Sequence, residues 1–301
     1  MDNILINRLT IIGVGLIGGS LALSLKRAGV VGTITGAGRN EANLQRAIEL
    51  GVIDSWSTDI AVACKDADVV VVCVPLGAMR RVFEAMKPAL TPEMVITDVG
   101  SAKQSVVNDA IAAFGELPEG FVPGHPIAGN ENSGVDYAFA ELYDRRRVII
   151  TPVETSAEHA IRLIRDMWLA TKADVCRMEV KHHDEVLAAT SHLPHMLAFG
   201  LVDTLADMDE TDEIFEYAAG GFRDFTRIAS SDPTMWRDIC IANHDAISSI
   251  MERYVEDMQR LAKLVRDGDS ERLYEMFFHA KETRDRFSQF LTGPARGELD
   301  E

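Results

Sequence analysis

Near its start the chain reads RLTIIGVGLIGGSLALSL: an apolar β-branched run, three spaced glycines, then a helical pattern. No other stretch limits the fold as much. Gly13, Gly15 and Gly18 form a GxGxxG turn. A lone match of this kind is weak, but here it directly follows a strand and opens a helix, the setting in which such a turn binds a dinucleotide. The first glycine permits the tight turn, the second lets backbone approach a pyrophosphate, and the third lets helix and strand pack closely. The opening helical N–H groups, at Leu16, Ile17 and Gly18, then face the phosphates.

The alternation continues beyond the turn. Strand patterns at residues 32–35, 67–74, 94–97 and 148–151 are interleaved with helical ones, such as 41–50. The run ADVVVVCV is apolar without alternation, as in a strand covered on both faces. The pattern predicts an α/β Rossmann-type, doubly wound parallel sheet. From about Val180 the β-branched runs vanish and long helical periods replace them. A helical stretch over 182–208 carries Pro194. A second begins at Asp232-Pro233 and keeps an apolar stripe at Ile239, Ile247, Ile250, Tyr254, Met258, Leu261 and Val265. Gly268-Asp269-Ser270 ends it and starts a last helix. We expect a dinucleotide domain over 1–178, an all-α helical domain over 179–292, and a flexible tail over 293–301. The long stripes predict a homodimer built through the helical domain.

With 301 residues, 47% of them hydrophobic and 26% charged, the chain has ordinary globular composition and can form two cores. No run approaches the ~18 apolar residues of a membrane span, and the start lacks a secretory pattern, so a cytoplasmic location is expected. The formal net charge of −17 argues against nucleic acid and anionic membranes as partners and leaves a small-molecule substrate. An anionic substrate would need local attraction from particular arginines and helix N-termini. The four cysteines are widely spaced without CxxC, so neither disulfides nor a thiolate metal site is expected.

The acid that grips a ribose 2′-hydroxyl stands ~20 residues beyond the glycine turn in NAD-binding sheets. From Gly18 that position is Gly38, followed by Arg39. A missing carboxylate and an added guanidinium suit a 2′-phosphate. The cofactor expected is therefore NADP, with NAD the alternative if Arg39 is a solvated loop charge. Val74 and Pro75, in VPLGAM, and Ser101, in DVGSAK, follow further strands and should line the same crevice. Ser101 has two readings: it reaches the reacting centre, or it caps the helix starting there.

His125 stands in GHPIAGNENSGV, on the same rim as Ser101. An imidazole titrating near ~6.5 is suited to take the proton that a carbinol sheds as its hydride leaves. Pro194 cannot donate to the Thr190 carbonyl, so the helix should kink there, with Ser191 and His195 four apart on one face. That kink suits a pocket wall, or serves packing alone. Of Arg223 and Arg227, the second sits in the more apolar context and is the candidate carboxylate clamp. His182-His183-Asp184 lacks the spacing of a metal site, and no metal is expected.

Taken in order, GVGLIGGS, DVGSAK, GHPIAGNENSGV, SHLPH and GGFRDFTRIASSDPTMWRD resemble the prephenate and arogenate dehydrogenases of tyrosine biosynthesis over essentially the whole chain. The resemblance implies oxidative decarboxylation of a cyclohexadiene acid: hydride passes from C4 to the nicotinamide, CO2 departs, and the ring aromatises. It implies that His125 accepts the C4 hydroxyl proton with Ser101 beside it. His195 and Arg227 would bind substrate, Arg227 at a carboxylate, with Trp236 near the side chain. Asn130 stands where some relatives have threonine, and with Glu131 it would face the side chain. A different two-domain hydroxyacid dehydrogenase would need a lysine at the entry to the helical domain, where Lys181 is the candidate.

Overall fold

The computed structural model describes residues 4–129, 132–209 and 211–292. β1 (Ile6–Ile12), β2 (Val31–Ala37), β3 (Ser55–Ser57), β4 (Val69–Val72) and β5 (Val95–Asp98) form a parallel sheet in the order β3-β2-β1-β4-β5. Strand order reverses beside β1, so the crevice between β1 and β4 opens at their carboxyl ends, where such sheets bind ligands. Both faces are covered. α1 (Leu16–Ala28), α2 (Glu41–Glu49) and α6 (Glu158–Ala170) pack on one side; α3 (Ile60–Cys64), α4 (Met79–Met86) and α5 (Lys103–Phe114) pack on the other. β4 shows why its sequence does not alternate. Val69 and Val71 enter one core, while Val70 and Val72 enter the other.

One expected strand lies elsewhere. The run at 148–151 is β7 (Arg147–Ile150), which joins β6 (Gly124–Pro126) and β8 (Asp174–Arg177) in a separate three-stranded sheet. Among its described residues the connection from β6 to β7 contains a 3-10 turn, Val135–Tyr137, and no crossover helix, and this pair runs antiparallel. β7 and β8, joined through α6, are parallel. His125 is thus a strand residue, paired with Ile149, rather than a loop residue.

The helical part begins with α7 (Val180–Leu187), a π-helical turn (Ala188–His192) and α8 (Leu193–Ala206). α9 (Thr211–Glu216), α10 (Gly220–Thr226) and a 3-10 turn, Arg227–Ser230, lead to α11 (Pro233–Ala242). Asp232 caps α11, its carboxylate accepting from the Met235 N–H at 2.8 Å. The single helix expected after Pro233 is two, because Asn243 breaks it before α12 (His244–Asp267). Gly268, at φ 65°, ends α12 in the left-handed region, and α13 (Ser270–Thr292) follows. The apolar stripe is buried at Ile239 and Ile247 but is 62% exposed by Val265. The tail expected over 293–301 lies outside the described residues, as do Asn130 and Glu131.

Candidate active site

The glycine turn has the shape its spacing predicts. Gly13 has φ +96°, and a Cβ there would lie 2.5 Å from the Cys73 carbonyl oxygen. A Cβ on Gly18 would lie 2.5 Å from the Gly13 carbonyl oxygen. Packing therefore demands both. A Cβ on Gly15 would meet nothing within 4 Å, so its absence opens space instead of relieving a clash. No side chain caps α1 and no acid occupies its first turn. The N–H groups of Leu16, Ile17 and Gly18 are left without intrahelical acceptors, as a pyrophosphate requires. The Asn43 side chain donates to the Val14 carbonyl at 2.8 Å and holds the turn against α2. Gly38 has room for a side chain, with only Leu44 at 3.8 Å, and Arg39 beside it is exposed. These residues fit a dinucleotide.

At the carboxyl end of β5 a buried ion pair organises DVGSAK. Lys103 Nζ donates to Asp98 Oδ2 at 2.5 Å and to the Gly124 carbonyl at 2.6 Å, with both charged side chains fully buried. Asp98 also accepts from the N–H groups of Gly100, at 2.7 Å, and Gly124, at 3.2 Å. The pair therefore fixes the strand residue next to His125. His125 itself is buried, and its Nδ1 lies 2.9 Å from His183 Nε2. His183 Nδ1 in turn meets Asp184 Oδ1 at 2.8 Å. Burial, with the neighbouring His183, Lys103 and His192, holds His125 well below the usual histidine pKa. It is neutral at pH 7, as a proton acceptor must be.

The other wall comes from the π turn and α11. Pro194 stands in the first turn of α8, and the kink expected there is the π turn itself, whose last amide, Leu193 N–H, reaches the Ala188 carbonyl. The Ser191 carbonyl accepts from His195 Nδ1, at 2.9 Å. The His195 ring stacks on Trp236, centroids 3.7 Å apart and planes 21° apart. Burial lowers the His195 pKa, and nearby Arg227 lowers it further. Arg227 thus delivers its charge to this wall, although it is exposed and its neighbour Phe225 is 43% exposed. The expectation that it sits deep among apolar side chains does not hold; the buried residue of that segment is Thr226.

Three other expectations change. Ser101 does not cap α5, whose N-cap is Ala102. That role goes to Asp184 of α7, which accepts the N–H groups of Lys103, at 2.7 Å, and Gln104, at 2.9 Å. Ser101 is half-buried, and its backbone adjoins His192. Lys181 is 86% exposed and pairs with Glu185, so it faces away from the crevice. The His182-His183-Asp184 trio, set aside as a metal site, supplies two residues of the site. His182 points to solvent, while His183 and Asp184 point inward. His192 was also missed. It is buried, Asn243 Nδ2 donates to its Nδ1 at 3.2 Å, and burial pushes its pKa down to about 4. Nδ1 being an acceptor, the ring proton is on Nε2, with the Ser101 backbone nearby; among the described residues neither this nitrogen nor Trp236 Nε1 has a partner at full hydrogen-bond geometry. A polar ligand would satisfy both. Helical spacing could have flagged His183 and His192 only as buried positions.

Burial pushes the Cys64 thiol up to about 12 and raises those of Cys73 and Cys240, so these three stay protonated at neutral pH. Fold and crevice together are those of a two-domain nicotinamide-dependent dehydrogenase. Residues 21–177 match the model of the prephenate dehydrogenase nucleotide-binding domain, and residues 179–279 match that of the prephenate dehydrogenase dimerization domain. The chain is 37% identical to the cyclohexadienyl dehydrogenase of Zymomonas mobilis, over 92% of this chain and 94% of that one. Its fold matches the crystal structure of prephenate dehydrogenase from Aquifex aeolicus in complex with hydroxyphenyl propionate and NAD+. The TM-score is 0.87 at 37% identity, covering 93% of this chain and 98% of the other. Synechocystis arogenate dehydrogenase matches with a TM-score of 0.79 at 25% identity, covering 93% and 99%. The chain belongs to the prephenate dehydrogenase family.

Proposed function

We propose that the chain catalyses oxidative decarboxylation of prephenate or arogenate, with His125 as the base that takes the C4 hydroxyl proton. The observation that carries this reading is a buried, neutral imidazole beside the carboxyl end of β5, held by His183 of the helical wall. A bound nicotinamide supplies the hydride acceptor. Gly13, Gly15, Leu16, Ile17 and Gly18 would hold its pyrophosphate, with Val74, Pro75 and Ser101 along the crevice. The Arg227 guanidinium would bind a carboxylate, answering the repulsion of a chain at −17. His195, stacked on Trp236 and anchored to Ser191, would fix the ring beside it. Asn130 and Glu131, outside the described residues, are assigned to recognition of the substrate side chain by the family resemblance alone. Departure of CO2 needs no proton donor, because aromatisation drives it.

Within the nicotinamide class, we read the cofactor as NADP, because Gly38 offers no ribose-binding carboxylate and Arg39 is exposed next to it. We divide the chain at 178/179 and infer a homodimer through the helical domain. Initial rates with prephenate and arogenate, each against NAD and NADP, test the reading. Turnover of neither substrate ends it, and equal use of both cofactors ends the phosphate assignment.

A further inference from the structure

The hydrogen bonds behind His125 decide where its proton sits. Asp184 accepts three N–H groups: those of Lys103 and Gln104, and the His183 ring. Burial alone would raise its pKa, but His183 and the two backbone donors outweigh burial and keep it an anion. An anion has no proton to give, so His183 Nδ1 must be the donor of that 2.8 Å bond. Burial lowers the His183 pKa against the pull of Asp184, so the ring is neutral at pH 7. A neutral imidazole with its proton on Nδ1 has only a lone pair at Nε2. The 2.9 Å contact between the rings then requires His125 Nδ1 to donate. His125 Nε2 is left with a lone pair, the form a base needs. Asn243 steadies the arrangement by donating to the Asp184 carbonyl at 2.9 Å.

The far end of this chain of bonds is not buried among apolar groups. Asp184 lines a cleft of about 820 Å³ behind α5 and α7, away from the glycine turn. Asp109 of α5, Lys181 and Glu185 of α7, and His244, Asp245 and Arg253 of α12 share its wall. Around the two buried rings the charged or titratable neighbours are Lys103, Asp98 and His192.

We propose that Asp184, His183 and His125 form a proton relay that holds His125 as the Nδ1–H tautomer and carries the substrate-derived proton to the cleft behind α5 and α7. It rests on the reading of His125 as the base. The C4 hydroxyl proton moves to His125 Nε2, and the His125 Nδ1 proton moves to His183 Nε2. The proton then rests on His183 beside the Asp184 carboxylate, and the His183 Nδ1 proton leaves to water in the cleft through Asp184, so that both rings end with their proton on Nε2. After product release the His125 Nε2 proton passes to water in the opened crevice and the same bonds run in reverse, with a proton from the cleft returning through Asp184, which restores the Nδ1–H form of both rings. No electrons move along the relay; the electron pair of the oxidation departs with the hydride. His183 and Asp184 are positioning residues, since neither touches substrate.

The test uses the full chain with 15N-labelled histidine, alongside His125→Asn, His183→Phe, His183→Gln and Asp184→Asn. In the unsubstituted protein His125 should show the nitrogen shifts of an Nδ1–H imidazole; an Nε2–H imidazole there overturns the relay without any variant. In Asp184→Asn the negative charge that holds the proton on His183 Nδ1 is lost, although an amide oxygen can still accept from the Lys103 N–H at that position. His125 should then show a share of the Nε2–H form, with kcat down by about tenfold or more and KM little changed. His183→Phe removes the acceptor but keeps the carboxylate on α5, and kcat should fall comparably. His183→Gln offers an oxygen to Nδ1–H but carries no proton, so His125 should stay Nδ1–H while kcat falls about tenfold or more. Full turnover in His183→Gln overturns the exit route. Full turnover in His183→Phe overturns the relay. Full turnover in His125→Asn instead removes the base itself, which separates failure of the relay from failure of the site.

Discussion

At the scale of single residues, the site depends on which nitrogen or oxygen is charged. His125 is useful because burial and its cationic and imidazole neighbours keep it neutral where an ordinary histidine would begin to protonate. His125→Asn should lower kcat by roughly 10²- to 10⁴-fold with KM nearly unchanged, since a base acts in the transition state. Steady-state rates with prephenate check this, and unchanged turnover excludes the assignment. Cofactor choice is also a single-residue matter. The space around Gly38 admits a side chain without a clash. Gly38→Asp should move the ratio of kcat/KM toward NAD by repelling a 2′-phosphate and binding a 2′-hydroxyl. A ratio that does not move would mean Arg39 and Gly38 are not where the two cofactors are told apart.

At the scale of elements, two junctions hold the site. One is the N-terminus of α5, pinned from within by Lys103 and Asp98 and from α7 by Asp184. Burial lowers the Lys103 pKa, and the Asp98 carboxylate opposes that shift. Removing one member of such a pair leaves the other charge buried, at a cost of ~3–5 kcal/mol. Lys103→Met should therefore lose about that much stability in urea unfolding, and a loss below ~1 kcal/mol would show that the pair is not what anchors Gly124. The second junction is the π turn. There the Ser191 carbonyl accepts from His195 Nδ1, and the His195 ring lies nearly flat on Trp236.

At the scale of the whole molecule, four histidines share one consequence. His125, His183, His192 and His195 all titrate below 6.5 when folded, each chiefly because of burial. The unfolded chain therefore binds more protons than the folded one as pH falls below 6.5. The stability these groups contribute is fully present above about pH 6.5 and is lost as pH falls from there toward about 4, where His192 titrates. Urea midpoints at pH 7.5, 6 and 5 should decline in that order; a flat series would contradict the shifts. The helical domain also carries an uncovered aromatic stripe, with Tyr274 67%, Phe277 57% and Phe278 49% exposed. We expect a second copy to cover it. Phe277→Asp combined with Phe278→Asp should convert a dimer into a monomer in sedimentation velocity, and an unchanged sedimentation coefficient would place the interface elsewhere.

Local rules were enough for much of this. A GxGxxG turn between strand and helix, unalternated VVVV and an Asp-Pro helix start are short-range constraints, so they specify the sheet, its crevice and α11 without knowledge of neighbours. Motif order was enough to single out His125, Arg227 and Trp236 as candidates. The separate sheet of β6, β7 and β8 was not, because a short apolar run does not say with which strand, or in which direction, it pairs. Nor could the sequence tell that Asp184, 81 positions from Lys103, caps α5, or that His183, 58 positions from His125, determines its tautomer. Those are contacts between distant segments. Only tertiary packing brings such groups within hydrogen-bonding distance, and only burial makes the resulting charges and protons stay where they are put.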